Sequence, residues 1–132
     1  MSSSIFDIKD HIHFVGIGGI GMSALAQCYR YAGFEVSGSD RALNNVENIE
    51  LFEKLRKQGI KLYNQDGSFA SEQKTSLIIY STAIEDDNRD FVAGKSLEKW
   101  HRAKALAQIS SFYAAKTSVA ISTLISFSPR FN

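Results

Sequence analysis

A second cysteine is missing from this chain of 132 residues, and Cys28 stands alone. An internal disulfide is therefore excluded, and no spacing of cysteines offers a metal site. Cys28 itself reads as a small buried hydrophobe on a helix. A charge excess is missing too. Lys and Arg number 15 against 14 Asp and Glu, so the summed field supplies no electrostatic case for a nucleic-acid or membrane partner. The opening Met1-Ser2-Ser3-Ser4 lacks the basic and apolar segments of an export signal, and no later run is apolar enough to span a bilayer. These absences lead to the expectation of a soluble cytoplasmic protein. What is present is ordinary globular composition, 44% apolar and 22% charged. That suits one domain with one core.

Periodicity alternates along the chain. His11 to Val15 is a short strand-like run that ends in a glycine cluster, and Met22, Leu25, Ala26 and Tyr29 then share one helical face. Gly33 stands where a left-handed terminating residue belongs, before a strand from Phe34 to Ser39 closed by Asp40. A polar loop with Asn44, Asn45 and Asn48 precedes a second amphipathic helix carrying Leu51, Phe52 and Leu55. Gly59 ends that helix before the strand Ile60 to Tyr63. Leu77-Ile78-Ile79-Tyr80 is an unbroken apolar run of the kind found in strands buried on both faces. Helices follow at Asp90 to about Lys95 and at about Ala103 to Tyr113, and only Leu97 to Trp100 has room for a strand between them. Ser118 to Ile121 reads as the start of another strand. Strands alternating with helices predict an α/β fold: a Rossmann-like, doubly wound parallel sheet in a single domain.

Gly16-Ile17-Gly18-Gly19-Ile20-Gly21 contains G-x-G-x-x-G directly after a strand and at the start of a helix. The first glycine permits the tight turn, the second lets a diphosphate approach the backbone, and the third allows close packing of helix on strand. The N–H groups of the first helical turn then face an anion. Asp40 ends the second strand about 20 residues further on, the place from which a carboxylate accepts hydrogen bonds from ribose hydroxyls; a turn residue before the Asn-rich loop is the other reading. The pattern specifies a diphosphate and a ribose, and leaves open whether the ligand is NAD(P), as in an oxidoreductase module, or another nucleotide.

The wider wording narrows this. His13-Phe14-Val15-Gly16-Ile17-Gly18-Gly19-Ile20-Gly21-Met22-Ser23, then Ser37-Gly38-Ser39-Asp40, then Tyr80-Ser81-Thr82-Ala83-Ile84 resembles the Mur ligase family, and within it the branch that adds L-alanine. The resemblance runs from residue 11 to about 121. It implies a bacterial, peptidoglycan-synthesising ancestry and an amino-terminal domain that binds the UDP part of UDP-N-acetylmuramate. It also implies a central domain that uses ATP and magnesium, and a further domain that completes the amino-acid site. By matched position, Gly16, Gly18, Gly19, Ile20 and Gly21 with Met22 and Ser23 would face the diphosphate, Ser39 and Asp40 would lie near the nucleoside, and Ser81, Thr82 and Ala83 would line the same crevice. Ser81 and Thr82 also suit capping of the next helix. Arg102-Ala103 matches an arginine-alanine pair of the family, with an exposed solvated charge as the plainer reading. Of His11 and His13, one is expected to face solvent and the other to pack beside the first strand, neither binding metal; Trp100 reads as a packing residue.

The departures are as informative. After Asn88 the family continues Pro-Glu, whereas this chain has Arg89-Asp90, and Leu97-Glu98-Lys99-Trp100 stands where a more apolar strand is expected. After Ser118-Val119-Ala120-Ile121 the family enters its ATP loop, G-T-H-G-K-T-T; here the text is Ser122-Thr123-Leu124-Ile125-Ser126-Phe127. Lys116 precedes that point and cannot substitute. The expected organisation is a UDP-sugar-binding domain over 1–113, followed by 114–132 as the start of a truncated ATP-binding domain or an aberrant tail. No cofactor is then expected in this chain and no catalytic residue. An open sheet edge would leave pairing with a second copy, or with separate complementing ligase domains, as the expected protein partners. A remnant without function is the remaining alternative. If a frameshift or premature stop produced this text, another reading frame of the gene encodes a G-T-H-G-K-T stretch just downstream; sequencing that finds none rejects the frameshift.

Overall fold

The computed structural model of the protein describes residues 4–8, 10–72, 74–81 and 84–127. Five parallel strands form one sheet: β1 (His11–Val15), β2 (Val36–Ser39), β3 (Lys61–Tyr63), β4 (Thr75–Tyr80) and β5 (Glu98–His101), in spatial order β3-β2-β1-β4-β5. β1 is the middle strand, and every one of its residues is buried. Helices α1 (Ile20–Tyr31), α2 (Ile49–Lys57), α3 (Phe69–Glu72), α4 (Arg89–Ala93) and α5 (Arg102–Phe127) connect or follow them. This is the expected doubly wound α/β architecture. Among the described residues no helix is long and apolar enough to cross a membrane.

The two faces of the sheet differ in character. Alternation along β1 sends Ile12 and Phe14 to one side, where they meet Leu25, Ala26 and Tyr29 of α1, Phe52 and Leu55 of α2, and Ala105 and Ile109 of α5. Trp100 of β5 completes this core at 1% exposure, as a packing residue. Each such large side chain contributes about 1.5–3 kcal/mol on burial. Tyr29 also donates its hydroxyl to the Ala105 carbonyl at 2.7 Å, tying α1 to α5. The other face holds a smaller cluster of Val15, Tyr63, Phe69 and Ile78 under α3 and α4.

Helices α1 and α2 end alike. Gly33 (φ +103°) and Gly59 (φ +87°) take the left-handed conformation, and the next residues reach back, Phe34 N–H to the Tyr29 carbonyl and Ile60 N–H to the Leu55 carbonyl. Both are Schellman terminations, which satisfy carbonyls that a helix end leaves open.

The one stretch with room for a fifth strand does hold it: β5 pairs with β4 from Leu77↔Glu98 to Tyr80↔His101, although Glu98 and Lys99 are polar. Three local expectations are corrected. Cys28 is exposed, because the buried stripe of α1 runs through Met22, Leu25, Ala26 and Tyr29 and Cys28 falls off it. Neither His11 nor His13 faces solvent, since both belong to the fully buried middle strand, at 7% and 0% exposure. Ser118 to Ile121 is helical, not extended: α5 runs on to Phe127. Extending an existing helix adds one hydrogen bond per residue without a new nucleus, and among the described residues 118–121 pair with no strand.

Gly38 of β2 sits against Ile17. A Cβ placed on it would lie 2.4 Å from Ile17 Cδ1 and 2.6 Å from Ile17 Cβ. Gly38→Ala is therefore expected to lower stability by about 1–3 kcal/mol through overpacking. Urea unfolding monitored by Trp100 fluorescence measures this, and an unchanged midpoint would contradict the packing described.

Candidate functional site

The turn after β1 is built on backbone. Gly16 (φ +77°) makes the reversal, and its N–H and that of Ile17 both donate to the Ser39 carbonyl at 2.9 Å. Asp40 Oδ2 accepts from Gly18 N–H at 2.8 Å, while Oδ1 accepts from Ala42 N–H at the same distance. A Cβ on Gly18 would meet Asp40 Oδ2 at 2.7 Å, so the bare backbone is what lets the carboxylate close on the loop. Asp40 thus lies at the end of β2 as expected, and here it braces the loop.

Helix α1 begins with no side-chain cap, its N-cap being Gly19. Ser23 N–H is the first to be taken up inside the helix, by the Gly19 carbonyl at 2.8 Å. The N–H groups of Ile20, Gly21 and Met22 are those that helix geometry leaves without an intrahelical acceptor. The side chains here divide. Ile20 is 93% exposed, whereas Met22 is buried in the core and Ser23 is buried with its hydroxyl on the Ile20 carbonyl. Any contact of Met22 or Ser23 with a ligand would be through backbone.

Arg102, the first residue of α5, comes to the same place. Its Nη1 stands 3.4 Å from where a Gly21 Cβ would be. Arg102 is an exposed residue, and its guanidinium lies beside the first turn of α1, the positive end of that helix. Two like-signed groups in contact gain nothing from each other, and an anion between them would be favoured by both. An open cleft of about 490 Å³ leads from Gly21 between α1 and α5, walled by Leu25, His101, Arg102 and Leu106. A larger shallow hollow of about 950 Å³ lies by Arg30, Tyr31 and Gly33 at the other end of α1, away from the glycine turn. Ser81 follows β4 and is half-buried, and Thr82 and Ala83 lie outside the described residues.

Beneath the crevice is a buried polar set. The carboxylate of Asp90, at 0% exposure, accepts from Ser39 Oγ at 2.5 Å and Gly67 N–H at 2.8 Å, and faces His13 Nε2 at 2.9 Å. His13 Nδ1 lies 2.7 Å from Ser37 Oγ, and the Phe69 ring stacks on the imidazole with centroids 3.7 Å apart. Asn88 caps α4 by accepting from Asp90 N–H and joins Gln65 Oε1 at 2.8 Å; Arg41 Nε meets the same oxygen at 3.1 Å. Ser39, expected near a nucleoside, has its side chain committed inward to Asp90. Asp90 itself escaped the sequence reading. Its signal was an acidic residue in the place of the family's Pro-Glu, which the missing proline obscured. Among the described residues no group of His, Cys, Asp and Glu is arranged to hold a metal.

Fold and turn together make a Rossmann-type α/β domain whose glycine turn opens at the carboxyl ends of the strands. The model of the Mur ligase family, catalytic domain, matches residues 11–114, and the chain belongs to that family. It is 40% identical over 111 residues to a UDP-N-acetylmuramate–L-alanine ligase of Acetivibrio thermocellus, covering 83% of this chain and 22% of that one. The protein of the same name from Clostridium botulinum is 36% identical over 120 residues, covering 89% and 24%. The crystal structure of the UDP-N-acetylmuramate-alanine ligase of Thermotoga maritima matches with a TM-score of 0.59 at 34% identity, over 72% of this chain and 21% of that one. A murein peptide ligase from Psychrobacter arcticus matches with a TM-score of 0.62 at 22% identity, over 75% of this chain and 20% of that one, and shares the fold. The chain spans less than a quarter of the length of these relatives.

Burial shifts both strand histidines downward. Desolvation depresses His13, against the opposing pull of Asp90, and desolvation with repulsion from His13 and Lys61 lowers His11 to about 4. Both folded values lie below the ordinary 6.5. As pH falls the unfolded chain therefore binds protons first, so the stability these groups contribute is full above 6.5 and is lost from there down towards about 4. The urea midpoint is expected to drop between pH 7.5 and pH 5, and a midpoint that holds or rises would show that neither histidine is buried neutral.

Proposed function

We propose that residues 1–113 bind the UDP moiety of UDP-N-acetylmuramate, as the amino-terminal substrate-binding part of a peptidoglycan ligase that adds L-alanine. The observation that carries this reading is the guanidinium of the exposed Arg102 set against the uncapped start of α1 beside Gly21. A diphosphate there would accept from the Ile20, Gly21 and Met22 N–H groups and from Arg102. The names of the relatives, at 36–40% identity, supply the sugar nucleotide. Ser39 and Asp40 would lie near the nucleoside through the backbone that follows β2, and Ser81 at the end of β4 would line the same crevice. A cytoplasmic site of action belongs to the same reading.

On these 132 residues alone we propose no ligase turnover. A ligase of this kind uses ATP and magnesium to activate the muramyl carboxylate. The residues from Ser118 to Phe127 do not fit that role. They form a helix with no glycine turn and no following lysine to hold a triphosphate. What this chain's own residues do is bind and orient the nucleotide end of the substrate.

An NAD(P) module is the second reading, favoured by G-x-G-x-x-G and Asp40. It needs a carboxylate turned to a ribose, and both Asp40 oxygens are engaged by Gly18 and Ala42.

Calorimetric titration with UDP-N-acetylmuramate, with NADH as the contrast, tests the choice. Saturable binding of the UDP sugar, competed by UDP, is expected, with none of NADH. Arg102→Gln should weaken the UDP sugar by about tenfold or more, the loss of a charge-assisted hydrogen bond, while leaving the melting temperature unchanged. NADH binding that UDP does not displace would reverse the assignment, and no binding to either by a folded protein would favour a remnant.

A further inference from the structure

We infer that Asp90 is a positioning residue for the glycine-rich loop, acting through Ser39; the ligand in question rests on the UDP-sugar reading above. Three successive loop amides hang on two residues at the end of β2. Gly16 and Ile17 donate to the Ser39 carbonyl and Gly18 to the Asp40 carboxylate. Ser39 is in turn fixed from below, because its buried hydroxyl donates to Asp90 Oδ2 at 2.5 Å. Asp90 has no exposed surface and cannot drift toward water. It is held by Gly67 N–H on Oδ1 and by His13 on Oδ2, and the imidazole is clamped between Ser37 and the Phe69 ring. The diphosphate-facing backbone is thus registered to the sheet by a chain of contacts running Phe69, His13, Asp90, Ser39, Gly16. None of the side chains in this chain of contacts reaches the crevice.

Ser37, His13 and Asp90 have the composition of a nucleophilic triad. All three are at 0% exposure, so no substrate carbonyl can approach Ser37 Oγ. The arrangement positions and does not react. In the network that fits all donors, His13 is neutral with its proton on Nε2 facing Asp90, and Nδ1 accepts from the Ser37 hydroxyl.

That assignment supplies a variant able to fold. In Asp90→Asn the introduced amide can keep the Gly67 contact through its oxygen, and His13 can move its proton to Nδ1 and accept from the amide nitrogen. Made in the full 132-residue chain, Asp90→Asn is expected to shift the His13 imidazole nitrogen signals to the Nδ1–H tautomer and to speed amide hydrogen exchange at Gly16, Ile17 and Gly18. It should also weaken UDP-N-acetylmuramate by about tenfold, the scale of one charged hydrogen bond. Ser39→Ala should give a similar loss, and the double variant no more than the larger single one, because both cut the same path. A folded Asp90→Asn protein with unchanged exchange at Gly16 to Gly18, or losses that add in the double variant, would overturn the inference. Should Asp90→Asn fail to fold, Ser39→Ala decides by the same exchange measurement. Should the wild-type chain bind no UDP sugar, the functional reading falls, while loop exchange in these variants still judges the positioning role.

Discussion

Taking a carboxylate out of water costs several kcal/mol unless donors replace the lost hydration, and Asp90 lies fully inside this protein. The donors that meet this requirement come from β1, the end of β2 and the loop after β3, while Asp90 itself belongs to the first turn of α4. Four segments far apart in sequence are thereby held to one point. Helix α4 has only five residues and α3 four, too short to persist without tertiary support. The Asn88 cap and the Asp90 contacts supply part of that support, and Phe69 lying flat on His13 supplies another part.

The sheet consequently has a division of labour. One face is a continuous apolar core under the longer helices, insensitive to charge. The other is organised around an imidazole and a carboxylate, and it lies directly below the residues that carry the glycine turn. Binding groups at the crevice are mostly backbone amides and one arginine, so their geometry depends on where the main chain is placed. A scaffold of this kind selects for accurate turns and close approaches, which explains why Gly16, Gly18 and Gly38 sit where a Cβ would force conformational or steric strain.

Much of this was legible in the sequence because its causes are local. Glycines that terminate helices, apolar runs that fill a sheet and the period-3.6 stripe of α1 each leave a direct trace in the residue order. β5 was harder to see, since Glu98 and Lys99 sit on an edge strand where polar residues are tolerated and the signal rests on Trp100 alone. Cys28 misled because its residue type favours the interior while its helical position does not. The buried set was illegible for a different reason. His13 and Asp90 are 77 positions apart, and nothing in either local context announces that a strand histidine and a helix-start aspartate will meet. The extension of α5 was illegible because Ser118-Val119-Ala120-Ile121 alternates small and larger apolar residues as a strand does, while the helix before it continues through them.

Helix α5 is anchored by Ala105 and Ile109 and, at its last contacts with the body, by Phe112 and Tyr113. Beyond them every residue from Ala114 to Ser126 is exposed, Val119, Leu124 and Ile125 by two-thirds or more. That stretch buries no side chain against the core and is held only as a continuation of the anchored part of α5. Its order is therefore set by helix–coil equilibrium and not by the cooperative transition of the domain. On heating, ellipticity at 222 nm would decline gradually before the tertiary signal changes, and a single melting temperature would describe the Rossmann body alone.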